Sequence, residues 1–262
     1  MSSPTPVPHR TTRPPRPARR GLHGGVCAAL LALGGGLALT ACAGDPDAGT
    51  NGVGKLPART IEARARSAAE SARSVRLAGD LVSKGRTYRF DLTLAADGAR
   101  GKLSTGSAAF QLLRVGKALY VKADADFWAQ QGGGSPSASD RAAAKKLDGK
   151  YVKVPSSDPA YRRFSGFTEK NALLGSVLTL HGTLTTGPHG TVGGTRSIHV
   201  DGDKGDGGAW DVSLEGRPYP LRLSRAGGAG VVRLSEWGHA VQLKAPTGSQ
   251  VVDYGKQITA GE

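Results

Sequence analysis

Residues 75–94 read VRLAGDLVSKGRTYRFDLTL. Val75, Leu77, Gly79 and Leu81 alternate with Arg76, Ala78 and Asp80. Beyond Lys84-Gly85-Arg86, Tyr88, Phe90, Leu92 and Leu94 alternate with Arg89, Asp91 and Thr93. Successive side chains of a strand point to opposite faces, so a period of two lines one face with apolar groups and the other with polar ones. Two such runs around a short Gly-containing connection read as a β-hairpin with one buried face.

The same period continues outward. Asp97-Gly98 is a turn signal that leads into 99–104, then 108–115, a tight Gly116-Lys117 turn and 118–122. This predicts an antiparallel meander of about five strands. Upstream, Ile61, Ala65, Ala68, Ala69 and Ala72 give residues 58–74 the Ala-lined stripe of an amphipathic helix. Downstream, the pattern predicts a helix over 124–131, a loop at 132–136, a short polar helix over 140–147 and a strand over 151–154. A turn of helix follows after Asp158-Pro159, then an apolar helix through Leu173, Leu174, Val177 and Leu178 with Thr168 as its N-cap. Strands return at 191–202, 209–215, 219–224 and 231–236, separated by Gly-rich turns. The tail from Val251 is expected to be loosely held. Helix, strands, helices, strands is an α+β order: a large antiparallel sheet with helices on one face, in one domain.

The N-terminus has another character. Arg10, Arg13, Arg16, Arg19 and Arg20 precede a stretch, residues 21–44, without Asp, Glu, Lys or Arg, which holds Leu39-Thr40-Ala41-Cys42. A basic segment, an apolar core and small residues before a cleavage point describe a secretory signal. Leu39–Cys42 resembles a bacterial lipobox. That resemblance implies cleavage before Cys42, a diacylglyceryl thioether on its sulfur and a palmitate-type acyl chain on the new N-terminus. Two or more acyl chains hold a protein stably on a membrane. Arg19-Arg20 suits either a twin-arginine signal or a plain basic n-region. The boundaries expected are a signal at 1–41, the lipidated Cys42 with a flexible tether through 56, the domain at 57–255 and a loose tail at 256–262.

The chain has 262 residues, with 35 Lys and Arg against 21 Asp and Glu, a net charge of +14. Cleavage removes five arginines and lowers that charge to +9. Two cysteines exclude a disulfide framework or a Cys-rich zinc fold. One of them, Cys27, leaves with the signal. The remaining positive charge is spread along the predicted strands, which points away from nucleic acid and toward a solvated basic surface or an anionic envelope surface.

No catalytic or metal signature emerges. Asp201–Gly207 has the aspartates of a calcium loop at the wrong spacing and reads as a hairpin turn. His181, His189, His199 and His239 form no i,i+3 or i,i+4 pair. There is no G-x-S-x-G around Ser165, no Walker motif and no GxGxxG after a strand. Asp124 and Asp126 fall at a helix start, where acids favour the dipole. The expectation is a non-enzymatic protein without cofactor or metal.

Phe127, Trp128, Phe164, Phe167, Leu173, Leu174, Val177 and Leu178 concentrate in the helical middle. Two readings stand: helices packed on the sheet as ordinary core, or an apolar cavity between them.

The chain resembles the LppX/LprA/LprF/LprG family of actinobacterial lipoproteins. The resemblance rests on Cys42, the first helix leading into 75–83 and 88–94, Leu119-Tyr120-Val121-Lys122 before Phe127-Trp128, and Tyr219-Pro220-Leu221-Arg222-Leu223 followed by 232–238. Thirteen Lys against 22 Arg, with abundant Ala and Gly, fit a high-GC actinobacterium. The resemblance implies a fold like the LolA/LolB lipoprotein carriers: a curved antiparallel half-barrel with helices over its concave face and a cavity for acyl chains. It assigns Phe90 and the eight residues of the helical cluster to that cavity by class. It further implies a monomer, anchored on the extracytoplasmic face of the cell membrane, that binds or carries a lipid or glycolipid. The alternative is an envelope sensor or transporter accessory that meets a protein partner without lipid cargo.

Overall fold

The computed structural model describes residues 45–83, 85–106, 108–132 and 134–253. The hairpin of residues 75–94 forms as β1 (Ser74–Ser83) and β2 (Arg86–Ala95), followed by β3 (Gly98–Thr105), β4 (Ala108–Val115) and β5 (Ala118–Ala123). After a helical middle that holds β6 (Tyr151–Val154), the chain returns through β7 (Leu184–Val192), β8 (Thr195–Gly202), β9 (Ala209–Ser213), β10 (Pro220–Ser224) and β11 (Gly230–Ser235). It ends in β12 (Val251–Asp253). These strands form one open, curved sheet in the order β12-β6-β5-β4-β3-β2-β1-β11-β10-β9-β8-β7. All pairings are antiparallel except β12 with β6. β1 is the seam: it carries β2 on one side and β11 on the other, joining the N-terminal meander to the C-terminal strands.

Register turns local alternation into one continuous apolar face. Leu77 lies opposite Leu92 and Leu234, Phe90 opposite Leu103, Leu103 opposite Phe110, and Leu112 opposite Val121. On the far side of the seam Leu223 meets Val232 and Trp210, and Val212 meets Ile198. The opposite parity carries the charges. Arg76 forks onto both oxygens of Asp91, at 2.8 and 2.7 Å, and reaches Glu236 at 3.1 Å. The hydrogen bonds from Arg76 hold the Asp91 carboxyl below the usual carboxylate range. Both partners are well exposed, so the pair contributes about 1 kcal/mol at most.

The helices pack on the apolar face. In α1 (Ala58–Ser71), Ile61, Ala65, Ala68 and Ala69 are buried; small alanines let the helix lie close to the sheet, and Arg66 stands 5.6 Å above the Trp210 ring. The helix stops at Ser71, short of the expected 74, because Ala72 turns extended and Ser74 is already paired in β1. α2 (Ala125–Ala129) is capped by Asp124, which accepts from the Phe127 N–H at 2.8 Å. α3 (Ala138–Lys145) starts with a Ser137/Asp140 capping box. In α4 (Pro159–Ser165), Pro159 occupies the first turn and Asp158 caps Ala160. α5 (Lys170–Val177) is preceded by Glu169 at the N-cap position. Thr168, expected as that cap, instead donates its hydroxyl back to the Ser165 carbonyl at 3.1 Å. The Lys170 ammonium is buried and donates to the Glu70 carbonyl at 2.9 Å, tying α5 to the end of α1. Burial pushes its pKa down.

Three expectations change. The single strand over 191–202 is a hairpin: Gly193 and Gly194, at φ 57° and 86°, turn β7 into β8. β7 contains Pro188 within an irregular register and gives no period-two signal; as an edge strand it is blunted against pairing with other chains. The tail is held in part, since 251–253 pair with β6, and the segment before them crosses the outer face so that a Cβ on Gly98 would meet the Leu243 side chain. Residues 256–262 lie outside the described residues.

The flexible tether is the third. From Asp45 onward it is docked. Val53 is buried in a 3₁₀ turn (Val53–Lys55). Asn51 donates from its backbone to the Leu214 carbonyl at 2.8 Å and from Nδ2 to the Ser213 and Gly216 carbonyls at 3.0 and 3.1 Å. Arg196 donates to the Ala48 and Gly49 carbonyls. Asn51→Ala removes two side-chain donors and one acceptor and is expected to cost about 1–2 kcal/mol. Hydrogen exchange should show residues 45–56 opening faster while β1–β4 keep their protection; unchanged exchange there would mean that Asn51 does not hold the segment.

Candidate functional site

A cavity of about 600 Å³ lies between the apolar sheet face and the helices. Its floor comes from β1 to β4: Leu81, Tyr88, Phe90, Leu92, Leu103 and Phe110, all on the inward parity of their strands. Its roof comes from Phe127 of α2, Phe164 of α4, Phe167 just beyond it, and Leu173 and Val177 of α5. The aromatic rings form one wall. Phe110 stands 5.3 Å from Phe127 and 5.5 Å, edge-on, from Phe164. Such pairs are stabilising beyond the area they bury and stiffen the wall.

The cavity opens where the β1–β2 and β3–β4 hairpins turn. Val82, 43% exposed, and Arg86, Arg163 and Ser176, also exposed, form the rim. Arg225, half-buried in the turn after β10, donates to the Ser176 carbonyl at 3.0 Å. Gln131 lies nearby and donates to the Phe127 carbonyl at 3.0 Å. Among the described residues, the charged residues of the lining are these three arginines, and no carboxylate, imidazole or thiol lines it. The site can therefore take an apolar group out of water, and it offers cations at its entrance.

Six of the nine residues assigned to the cavity by class line it: Phe90, Phe127, Phe164, Phe167, Leu173 and Val177. Trp128, Leu174 and Leu178 do not. They sit in the core on the adjacent helical row, and Leu174 and Leu178 are each 1% exposed. Cys42 lies outside the described residues. Most of the floor was missed, although its signal was present: Leu81, Tyr88 and Leu92 share the parity of Phe90 within residues 75–94. Arg86, Arg163 and Arg225 gave no signal, because each is an ordinary arginine until its element is placed.

Other sequence features resolve without a second site. Asp203 belongs to the turn after β8, where its carboxylate accepts the Thr183 N–H at 2.7 Å. Among the described residues no group of three His, Cys, Asp or Glu side chains could hold a metal ion. His199 donates or accepts at Asp211, 2.9 Å away, and Arg222 meets the other Asp211 oxygen at 2.6 Å; this is a structural pair on the outer face. Depressions on that face are lined by outward rows such as Arg89, Asp91, Lys102 and Lys122. No helix among the described residues is long and apolar enough to cross a membrane.

The chain matches no protein-family model and no curated protein. Among solved structures it is similar to LprF from Mycobacterium bovis, at 16% identity and a TM-score of 0.50, over 73% of this chain and 97% of LprF. It is also similar to the Mycobacterium tuberculosis lipoprotein LppX, at 16% identity and a TM-score of 0.42, over 71% of this chain and 99% of LppX. The likeness to LprF establishes the fold.

Proposed function

We propose that this protein, sharing its fold with LprF, is an exported, membrane-anchored protein that binds or carries a lipid or glycolipid in the cavity between sheet and helices. The observation that carries the reading is the cavity itself, floored by Phe90, Leu103 and Phe110 and roofed by Phe127, Phe164 and Phe167. Its volume falls within the roughly 300–1,000 Å³ of small-ligand sites. Each methylene moved there from water gains about 0.8 kcal/mol, so a chain of about ten methylenes offsets much of the association cost. Among the described residues of the lining no acid is paired with a base, which supports a carrier over a hydrolase.

Two measurements test the two parts. In the first, protein lacking the signal is purified and examined by native mass spectrometry, then mixed with vesicles carrying labelled diacyl lipid. Wild type is expected to retain acyl lipid and move it between vesicles. Leu173→Trp, which fills the cavity, should lower loading at least tenfold while the melting temperature holds. Consistently empty protein with no transfer would overturn the carrier reading.

The second concerns the anchor. Full-length protein expressed in a bacterium with lipoprotein processing should partition with membranes, and Cys42→Ser should release it into the soluble fraction. A Cys42→Ser protein that stays membrane-bound would remove the lipid anchor from the proposal.

A further inference from the structure

The docked N-terminal segment and the cavity mouth lie at opposite ends of the sheet. Register defines the two ends. Ala78 of β1 pairs with Arg233, Arg233 with Arg222, Arg222 with Asp211 and Asp211 with His199, so these residues mark one level across β1, β11, β10, β9 and β8. Val82, at the rim, lies four residues from that level toward the β1–β2 turn. Arg196 lies three residues from it in the other direction. At about 3.3 Å per strand residue, the seven residues between them amount to roughly 23 Å along the strands. Four strand spacings separate β1 from β8 besides.

The segment is held at the Arg196 end. Arg196 donates to the Ala48 and Gly49 carbonyls, at 3.1 Å each. His189 Nε2 and Asp47 Oδ1 stand 3.0 Å apart. Asn51 bonds to Ser213, Leu214 and Gly216, Lys55 reaches back to Asp45 at 2.7 Å, and Val53 is buried. This docking shortens the reach of the chain. Were it free, the stretch from Cys42 to Pro57 would span up to about 50 Å, enough for the domain to meet a membrane in any orientation. With the chain held from Asp45 onward, three residue steps remain after Cys42, about 10 Å. That is less than half the distance from the Arg196 level to the mouth.

We propose that the docked segment holds the anchored protein with its cavity mouth turned away from the membrane that carries Cys42, so that lipid passes between the cavity and a second, facing lipid surface. The anchoring leaflet is out of reach of the mouth. Among the described residues the exposed large hydrophobic side chains, Val82 and Val231, both stand at the mouth end, which favours a lipid surface there over a hydrated partner. The inference rests on the anchor and cavity readings above and adds the direction of exchange.

The test uses lipid-modified protein, purified in detergent from a bacterium with lipoprotein processing. In it Cys27 has left with the signal and the Cys42 sulfur is blocked. Val82→Cys and Thr191→Cys, at exposed positions, therefore each give one free thiol for a fluorophore; Thr191 pairs with Arg196. The protein is inserted into preformed phosphatidylcholine vesicles that carry a headgroup-labelled acceptor lipid. Energy transfer from the Thr191 label is expected to exceed that from the Val82 label at least twofold. Asn51→Ala combined with Arg196→Gln, which frees the segment, should bring the two labels to equal transfer, with circular dichroism melting to confirm the fold. Anchored wild type should also load fluorescent phosphatidylcholine from a second vesicle population about fivefold faster than from its own.

Equal transfer from the two labels without those substitutions, or more from Val82, overturns the inference and leaves the anchor and cavity readings standing. So does faster loading from the anchoring vesicle. Protein that does not associate with the vesicles removes the anchor, and this inference with it. If the labels keep the expected order and neither vesicle supplies lipid, the carrier reading fails and the direction of exchange falls with it.

Discussion

Gly101→Val is expected to leave little folded protein. Gly101 lies in the middle of β3, opposite Leu92 and Leu112. Its φ of 159° is one that side-chain-bearing residues rarely adopt, and a Cβ built there would stand 2.2 Å from the Asp91 carbonyl oxygen and 2.7 Å from Leu92 Cα. Both contacts are backbone, so no side chain can swing aside. Gly79 in β1 meets β11 in the same way, with a Cβ position 2.1 Å from the Val231 carbonyl oxygen. Glycine within a strand often marks a close approach of neighbouring backbones or a bend, and here it lets the sheet coil over the helices. Overpacking costs about 1–3 kcal/mol, and a strained backbone about 1–3 more. The sum is a large part of the roughly 5–15 kcal/mol that holds a domain folded. Urea denaturation should show the midpoint falling by more than about 1 M. Gly190→Ala is the control: the nearest atom to its Cβ is the Ser197 hydroxyl at 3.7 Å, and its midpoint should hardly move. A Gly101→Val midpoint within error of wild type would contradict the close approach of β2 and β3.

The second large effect is expected at Arg114. It occupies an inward position of β4, in the parity of Phe110 and Leu112, and is only 9% exposed. Nε and Nη2 donate to the Thr168 carbonyl at 3.2 and 2.7 Å, and Nη1 donates to the Gly116 carbonyl at 2.9 Å. Thr168 lies in the link between α4 and α5, which together supply five residues of the cavity roof or its edge. Arg114 thus clamps the roof to the sheet. Arg114→Met keeps much of the stem but strands the buried Thr168 carbonyl. Hydrogen bonds to charged groups contribute about 1.5–3 kcal/mol, and an unsatisfied buried acceptor costs a further share of that size. A loss of about 3 kcal/mol follows. The loss should be local first: hydrogen exchange over 159–177 is expected to rise well before that over 98–123, and lipid loading should fall with it. Uniform exchange across both segments would show that Arg114 stabilises the sheet and not the roof.

Legibility followed the range of the physics involved. β1 through β5 were readable because alternation is a local property: Leu77, Phe90 and Leu103 declare their face whoever their neighbours are. β7 was not, since its Gly, Pro and Thr residues carry no alternation and it forms only because β8 offers it hydrogen bonds. The parallel pairing of 251–253 with β6 had no local trace either. Docking of Asp45–Leu56 was hidden by a composition rich in Gly, Asp and Asn. That composition is typical of a tether, yet Asn51 finds three backbone partners at the end of β9 and in the bend after it. Thr168 looked like a cap by type and position; its burial made the Glu169 position the cap instead.

The candidate site divides along the same line. Helical period brought Leu173, Leu174, Val177 and Leu178 into view as one cluster, and the packing of α5 then turned Leu173 and Val177 into the cavity and the other two into the core. Arg114 and Arg86 are both strand arginines. One is buried in a clamp and the other stands at an entrance, a difference that depends on which loop arrives above each.

Fold class, the apolar face of the sheet and the helical middle all follow from residue order, because period and turn chemistry act over a few neighbours. The strand order around β1, the space left beneath the helices and the arginines gathered at its rim were decided by tertiary structure. They depend on the distance between layers and on contacts between segments a hundred or more residues apart, which no local pattern encodes.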